Sequence, residues 1–402
     1  MNTGRYIFSQ ITDFIPRYQF DKFVLKHKGE RHMRELTSYN HLLYLLYGHL
    51  SPCDSLRDIC LCIDNHKDII YHCGFNKSVD STTLSRANKS RSYKILEELG
   101  YYLISIVRPK YVQERIPDVD VDNVIMALDS TTISLSIKLA QWAYGKYSRG
   151  AAKMHTLLDL RGSIPVFIHI TNGKYHDSNA LDELTFNADE IYTMDKAYVD
   201  LAALNIMDEA KAYFVTRPKD NMKYEIIDTY PIDESTGVIN DCRIRLTGFK
   251  SGKLYPKDLR LVLYHDAESS EDISFISNNF DLSAIDIANI YKNRWQIEVF
   301  FKWIKQNVVI KKLWGYSENA VKTHLWSALC AYLIMAHVKA EFTSRYTITE
   351  ILTLVRGALF EKRDLKELLT KPDKITNPES NQYVKEQQYI IDFNMTPNLA
   401  HQ

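Results

Sequence analysis

YKNRWQIEVFFKWIKQN, residues 291–307, holds one carboxylate, Glu298, among four cations, Lys292, Arg294, Lys302 and Lys305, and five aromatic residues. Read as one helix at about 100° per residue, Tyr291, Arg294, Glu298 and Lys305 fall within roughly 60° of arc, on a stripe about 20 Å long. Ile290, Ile297, Phe300, Ile304 and Val308 lie beside that stripe and form the buried face. The helix therefore sets one acid at the rim of a core, with a cation on either side along one line. Such an acid suits a metal-bridged anion: the carboxylate holds a divalent cation while Arg294 and Lys305 neutralise phosphates. The same spacing also suits an exposed salt-bridge stripe at i, i+4 and i+7.

Two other acids weigh against the bland alternative. Asp129 lies near the end of the apolar run NVIMALDSTTISL (123–135), and Asp195 ends EIYTMD (190–195). Each run reads as a buried strand, and a carboxylate at a strand end is held on rigid backbone, as metal catalysis requires. A lone acid there is more often a cap or turn residue. Two of them, with a helical glutamate later in the chain, make the arrangement of a two-metal phosphoryl-transfer site. Magnesium prefers oxygen ligands and retains water, so three carboxylates suffice.

The rest of the chain is a mixed α/β pattern. Residues 1–115 read as helical, with helices over 18–28, 38–50, 54–73 and 81–107. The pair SLRDICLCIDNHKDII and SVDSTTLSRANKSRSYKILEEL resembles a helix-turn-helix that would present Arg86, Lys89 and Arg91 to DNA; a solvated basic helix face is the plain alternative. Strands over MHTLLDL, IPVFIHIT, EIYTMD and AYFVTR, with helices over SNALDELTF and LAALNIMDEA, complete a first core segment at 118–218. A β-rich insertion follows at 219–275, where RIRLTGFKSGKLYPKDLRLVLYH alternates cation and apolar residue, so that Arg243 and Arg245 line one basic face. The core resumes at 276–340 with Glu298, and 341–402 holds helices and a polar tail.

Together these residues carry a resemblance. Asp129, Asp195 and Glu298 resemble the D-D-E triad of the transposase and integrase superfamily. Tyr291-x2-Arg294-x3-Glu298-x6-Lys305 is similar to the Y-R-E-K signature of insertion-sequence-four family transposases, and ALDST, KMHTLLDLRG and YTMDKAY are similar to the segments around that family's two aspartates. The resemblance covers roughly residues 118–340. It implies an RNase H-like catalytic core with a β-rich insertion, preceded by an all-helical N-terminal DNA-binding domain and followed by C-terminal helices. It implies that the three acids hold two Mg2+ ions, with Mn2+ able to substitute. Tyr291, Arg294 and Lys305, with Lys302 beside them, would contact phosphates of double-stranded DNA near the element's end. The reaction implied is cut-and-paste transposition by a homodimer on the DNA. One departure concerns hairpin formation, for which family members stack a flipped base on a tryptophan of the insertion. No tryptophan lies between Trp142 and Trp295, leaving Tyr224, Tyr230, Phe249 or Tyr255 as the aromatic choices.

Composition alone would not suggest a nucleic-acid partner, because 50 basic residues balance 50 acidic ones. The basic residues are clustered, however. Lys77, Arg86, Lys89, Arg91 and Lys94 face only Asp80 within 76–94. Arg243, Arg245, Lys250, Lys253, Lys257 and Arg260 face only Asp258 within 243–260. Lys292, Arg294, Lys302, Lys305, Lys311 and Lys312 face only Glu298 within 291–312. Cys53, Cys60, Cys62 and Cys73 lie near His66 and His72, but the spacing is not that of a zinc site and buried reduced thiols are expected. No signal peptide or membrane-spanning run is read, so a cytoplasmic location is expected. Two other function classes remain. One is a transposase-derived DNA-binding protein without catalysis, disfavoured by the intact triad. The other is a carboxylate-pair glycosidase, disfavoured because cations around Glu298 would keep it ionised.

Overall fold

The computed structural model describes residues 4–31, 35–135, 142–143, 150–307 and 313–370. Lys311, Lys312 and the polar tail lie outside the described residues. The N-terminal segment folds into α1 (Ile7–Thr12), α2 (Arg17–Lys26), α3 (Ser38–Leu50), α4 (Leu56–Asn65), α5 (Ser81–Ser90) and α6 (Lys94–Val107). Thr37, Ser55 and Asp80 cap α3, α4 and α5, each side-chain oxygen accepting the backbone N–H three residues on.

Two expected helices are each broken. The 54–73 helix ends at Asn65 and resumes only as a single 3-10 turn, Ile70–Cys73, which Gly74 terminates at φ 89°. The 81–107 helix is interrupted where Arg91 adopts an extended conformation after α5. Residues 66–80 therefore separate α4 from α5, far more than the three or four of a helix-turn-helix.

One nine-stranded sheet follows: β1 (Ile125–Leu135), β2 (Gly150–Asp159), β3 (Ile164–Asn172), β4 (Ile191–Met194), β5 (Tyr213–Thr216), β6 (Tyr224–Thr229), β7 (Val238–Leu246), β8 (Leu259–Asp266) and β9 (Glu271–Ser277). Its order is β3-β2-β1-β4-β5-β9-β8-β7-β6. The first five form the RNase H-like unit, an antiparallel β1–β2–β3 meander with β4 parallel to β1 and β5 parallel to β4. Gly162 and Ser163, both at positive φ, turn the chain from β2 to β3. The SNALDELTF segment forms a 3-10 turn, Asp177–Glu183, where a helix was expected, and α7 (Leu201–Glu209) follows as anticipated. The insertion does not form a separate sheet. β9 pairs antiparallel with β5, so β6 to β9 extend the same sheet.

The remaining helices are α8 (Ser251–Leu254), α9 (Ala284–Asn293), α10 (Trp295–Asn307), α11 (Glu318–Glu341), α12 (Ile348–Ala358) and α13 (Leu365–Leu368). α11 carries LWSALCAYLIMA and is buried on nearly every side, because α3, α5, α6 and α12 surround it. Gly100 of α6 permits that approach, since a Cβ there would meet the Trp326 ring at 2.8 Å. Each fully buried leucine or isoleucine of this core contributes about 1.5–3 kcal/mol over exposure. The N-terminal helices thus share one core with α11 instead of standing apart. Among the described residues no helix is long and apolar enough to cross a membrane.

Candidate active site

Strand alternation places the acids. Ile125 and Ala127 pack into the core shared with Ile290, Ile297 and Phe300 of α9 and α10, whereas Met126 and Leu128 pack against Leu204 and Met207 of α7. Period two carries Asp129 to the α10 face and Ser130 to the α7 face. On β4, Ile191 lies in the first cluster and Tyr192 and Met194 in the second, so Asp195 also falls on the α10 face. Leu128 is in parallel register with Met194. The pairing ends there, and Asp195, the next residue, is near enough that its charge acts on the Asp129 carboxyl.

Glu298 reaches the same place from α10. Arg294 donates from one Nη to Asp129 Oδ2 at 3.2 Å and from the other to Glu298 Oε1 at 3.0 Å. The two acids are therefore no further apart than one guanidinium can bridge, although Asp129 lies 165 residues before Arg294. The exposed-stripe alternative foresaw the i, i+4 pair with Glu298 but not this long-range partner. Arg294 is itself only 13% exposed, unlike a solvated surface cation.

The helix through these residues is broken, in contrast to the single stripe expected. The N–H of Arg294 donates to the Tyr291 carbonyl at 3.1 Å and that of Ile297 to the Arg294 carbonyl at 3.0 Å. These three-residue bonds tighten the chain between α9 and α10. Tyr291 is half-buried against Phe275, and the Arg294 guanidinium lies 5.4 Å from its ring centroid. Lys302 and Lys305 stand exposed further along α10.

The electrostatics reflect crowding of like charge. Burial, with Glu298 and Asp195 adding to it, pushes the Asp129 carboxyl up to about 6, against the opposing pull of the Ser130 N–H and Arg294. Burial disfavours the Arg294 charge, yet Tyr291, Asp129 and Glu298 outweigh it and raise its pKa. Asp195 accepts the Ala197 N–H at 3.0 Å and caps a short 3-10 turn, Lys196–Tyr198. Among the described residues no three His, Cys, Asp or Glu side chains enclose a ready-made metal site. At the triad, Arg294 stands between two of the acids. Its presence there shows that the cluster accommodates positive charge, and an all-oxygen donor set of three carboxylates fits a hard divalent cation.

Several expected DNA contacts need correction. Arg86 and Lys89 are exposed on α5, but Arg91 is buried and donates to the carbonyls of Gly29, Leu36 and Thr37 at 3.2, 2.6 and 3.4 Å. Arg91 is a structural tie between the loop before α3 and the end of α5. In the insertion, Arg243 donates to Tyr230 Oη at 3.1 Å and lies over Phe280, so it is engaged internally. Arg245 reaches the surface but pairs with Asp258 at 2.8 Å. Arg260 is buried against Asp241 at 2.7 Å. Of the cations expected on one basic face, Arg243 is thus held by aromatic residues and Arg245 by an acid just before β8. Among the aromatic residues considered for stacking, Tyr255 is buried, Tyr230 half-buried, and Phe249 and Tyr224 exposed. The cysteine cluster holds no metal site among the described residues, and burial pushes Cys60 and Cys73 up to about 12, keeping them as thiols.

Two features escaped sequence reasoning. Trp295 is 62% exposed beside Arg294. Asp177 accepts hydrogen bonds from Ser130, Lys153 and Tyr198 just behind the strand acids. The only signal for Asp177 was an acid in a short polar stretch, which ordinarily reads as a cap.

Comparison with known proteins places the chain in a family. The profile of the family described as Transposase DDE domain matches residues 121–334, a span that holds all three acids. A profile described as Domain of unknown function (DUF4372) matches residues 3–76. The chain is similar to the putative transposase y4zB of Sinorhizobium fredii, with 32% identity over 61% of this chain and 69% of that protein. It is similar to the probable transposase for insertion sequence element IS5377 of Geobacillus stearothermophilus, with 30% identity over 63% of this chain and 66% of that one. It also resembles the putative transposase for insertion sequence element IS4SA of Synechocystis, with 28% identity over 71% and 80% of the two chains.

Proposed function

Because the chain belongs to the transposase DDE domain family, we propose that it cuts DNA at the ends of an insertion sequence and joins the freed 3′-hydroxyl to target DNA. The observation that supports this reading is that Asp129 and Glu298 share the Arg294 guanidinium, with Asp195 directly following Met194 where the parallel β1–β4 pairing ends. Two Mg2+ ions held by these acids would supply an activated water and neutralise the leaving oxygen. The chain's own residues position and balance charge. Asp129 is fixed by the β1 backbone, Asp195 by the cap it forms just after β4, Glu298 projects from α10, and Arg294 neutralises the crowded carboxylates. Lys302 and Lys305 offer exposed charge to phosphates along the same helix. Stacking of an unpaired base, if the second strand is cut through a hairpin, falls to Phe249, Tyr224 or Trp295. Joining two ends calls for two copies on the DNA. The test is Mg2+- or Mn2+-dependent nicking of duplexes carrying the element's ends. DNA binding without nicking would instead favour a transposase-derived DNA-binding protein.

Lys305→Ala is expected to reduce the slope of log K against log salt for end binding by about 0.9, one phosphate's worth of counterion release. An unchanged slope would remove Lys305 from the DNA surface.

The raised Asp129 pKa gives a pH signature. The folded state holds this proton more tightly than the unfolded chain, so its stabilising effect is complete below the ordinary aspartate pKa and is lost as pH rises through about 6. A metal ion must displace that proton. Added Mg2+ should therefore raise Tm more at about pH 7 than at about pH 5. Equal shifts at both pH values in thermal melts would separate Asp129 from the metal site.

A further inference from the structure

Behind the strand acids, on the α7 face of the sheet, one carboxylate gathers donors from three directions. Asp177 opens the 3-10 turn between β3 and β4. Its Oδ1 accepts from Ser130 Oγ at 2.6 Å and from Tyr198 Oη at 3.3 Å, and its Oδ2 accepts from Lys153 Nζ at 2.7 Å. His155 Nδ1 lies 3.7 Å from Oδ1, buried and without a hydrogen-bond partner of its own. The partners are not scattered. Ser130 directly follows Asp129, and its N–H donates to Asp129 Oδ1 at 2.7 Å. Tyr198 is a buried residue whose N–H donates to the Asp195 carbonyl at 3.0 Å. Lys153 and His155 lie on β2, in register with Thr132 and Ser130 of β1.

We infer that Asp177 is a positioning residue, which sets the separation of Asp129 and Asp195 by holding the residue after the first and the turn after the second on one carboxylate. The inference rests on the metal-dependent reading of the triad. β1 and β4 share backbone pairing only as far as Leu128 and Met194, so the acids themselves lie where that pairing ends. Beyond that point, Asp177 accepts from both Ser130 and Tyr198, whose hydroxyls also meet each other. Lys153 balances its charge in a half-buried pair, with 15% and 26% of the two side chains exposed. Outer residues that orient metal ligands are typically worth about 10–100-fold in metal affinity.

The test is Mn2+ binding to the full chain, read as free Mn2+ by electron paramagnetic resonance, with thermal melts in parallel. Tyr198→Phe keeps the ring in place and removes one donor, while Asp177→Asn keeps the volume and removes the charge. Each is expected to weaken Mn2+ binding, Asp177→Asn by roughly tenfold or more. The pair should be non-additive because both act through one hub. A purely structural Asp177 would lower Tm and leave Mn2+ affinity unchanged in the folded protein, and that result overturns the inference. If Asp177→Asn fails to fold, Tyr198→Phe and Ser130→Ala decide the matter, since unchanged Mn2+ affinity in both overturns it equally. Failure of the underlying reading looks different: the parent's Mn2+ binding would then survive Asp129→Asn and Glu298→Gln.

Discussion

Glu298→Gln is expected to abolish metal-dependent nicking of element-end DNA, by about 10³-fold or more, while end binding stays largely intact. Glutamine keeps the shape of the side chain but loses the charge that a hard dication needs. The fold should survive, because Arg294 retains Asp129 as its partner at 3.2 Å and the buried face of α10, including Ile297, Phe300 and Ile304, is untouched. Loss of cleavage without loss of binding places Glu298 in the chemistry. Equal nicking by variant and parent would return the Arg294–Glu298 pair to an ordinary helix salt bridge.

The second large effect concerns stability. Arg260 and Asp241 are 6% and 4% exposed at their side chains, with two hydrogen bonds at 2.9 and 2.7 Å. Arg260 also donates to the Leu282 carbonyl at 2.5 Å, tying β8 to the segment that leads into α9. Asp241→Ala leaves a buried guanidinium without its counter-charge, and is expected to cost about 3–5 kcal/mol in urea unfolding. Replacing both partners, as Asp241→Leu with Arg260→Met, should recover most of that loss, because the desolvation penalty disappears with the charges. A loss below about 1 kcal/mol for the single variant would mean that the pair is effectively hydrated. The insertion is thus braced to the segment that leads into α9, the helix preceding Arg294, consistent with β9 continuing the sheet at β5.

Much of this architecture was legible because its signals are local. The apolar runs around Asp129 and before Asp195 marked β1 and β4, although β1 runs on to Leu135 and carries Asp129 within the strand and not at its end, and the helical period around Glu298 marked the face that α10 buries. Sequence order could also place a β-rich segment between the second and third acids. Long-range partners were less legible. Nothing in IYKNRWQIEV breaks the helical period, so the tightened turn at Arg294 was invisible, and with it the swing of that guanidinium toward a strand residue 165 positions earlier. The same holds for Arg91, whose basic neighbours suggested a DNA face although three backbone carbonyls from another segment claim it. Local charge counts failed at Arg260 for a related reason, since its counter-ion Asp241 lies two residues outside the window counted. Asp177 illustrates the limit most clearly. It gains its meaning from Ser130, Lys153 and Tyr198, which only the folded sheet brings together.

The most direct test of the central claim, that Asp129, Asp195 and Glu298 form one metal site, is an anomalous difference map from crystals of the protein soaked in Mn2+. The account predicts peaks bound by oxygens of all three carboxylates, at roughly 2.1–2.2 Å as for other small oxygen-bound dications. It also predicts that Arg294 withdraws from at least one of its two acids. Mn2+ peaks elsewhere, with Arg294 still bridging Asp129 and Glu298, would contradict the account and leave the acid cluster a salt bridge.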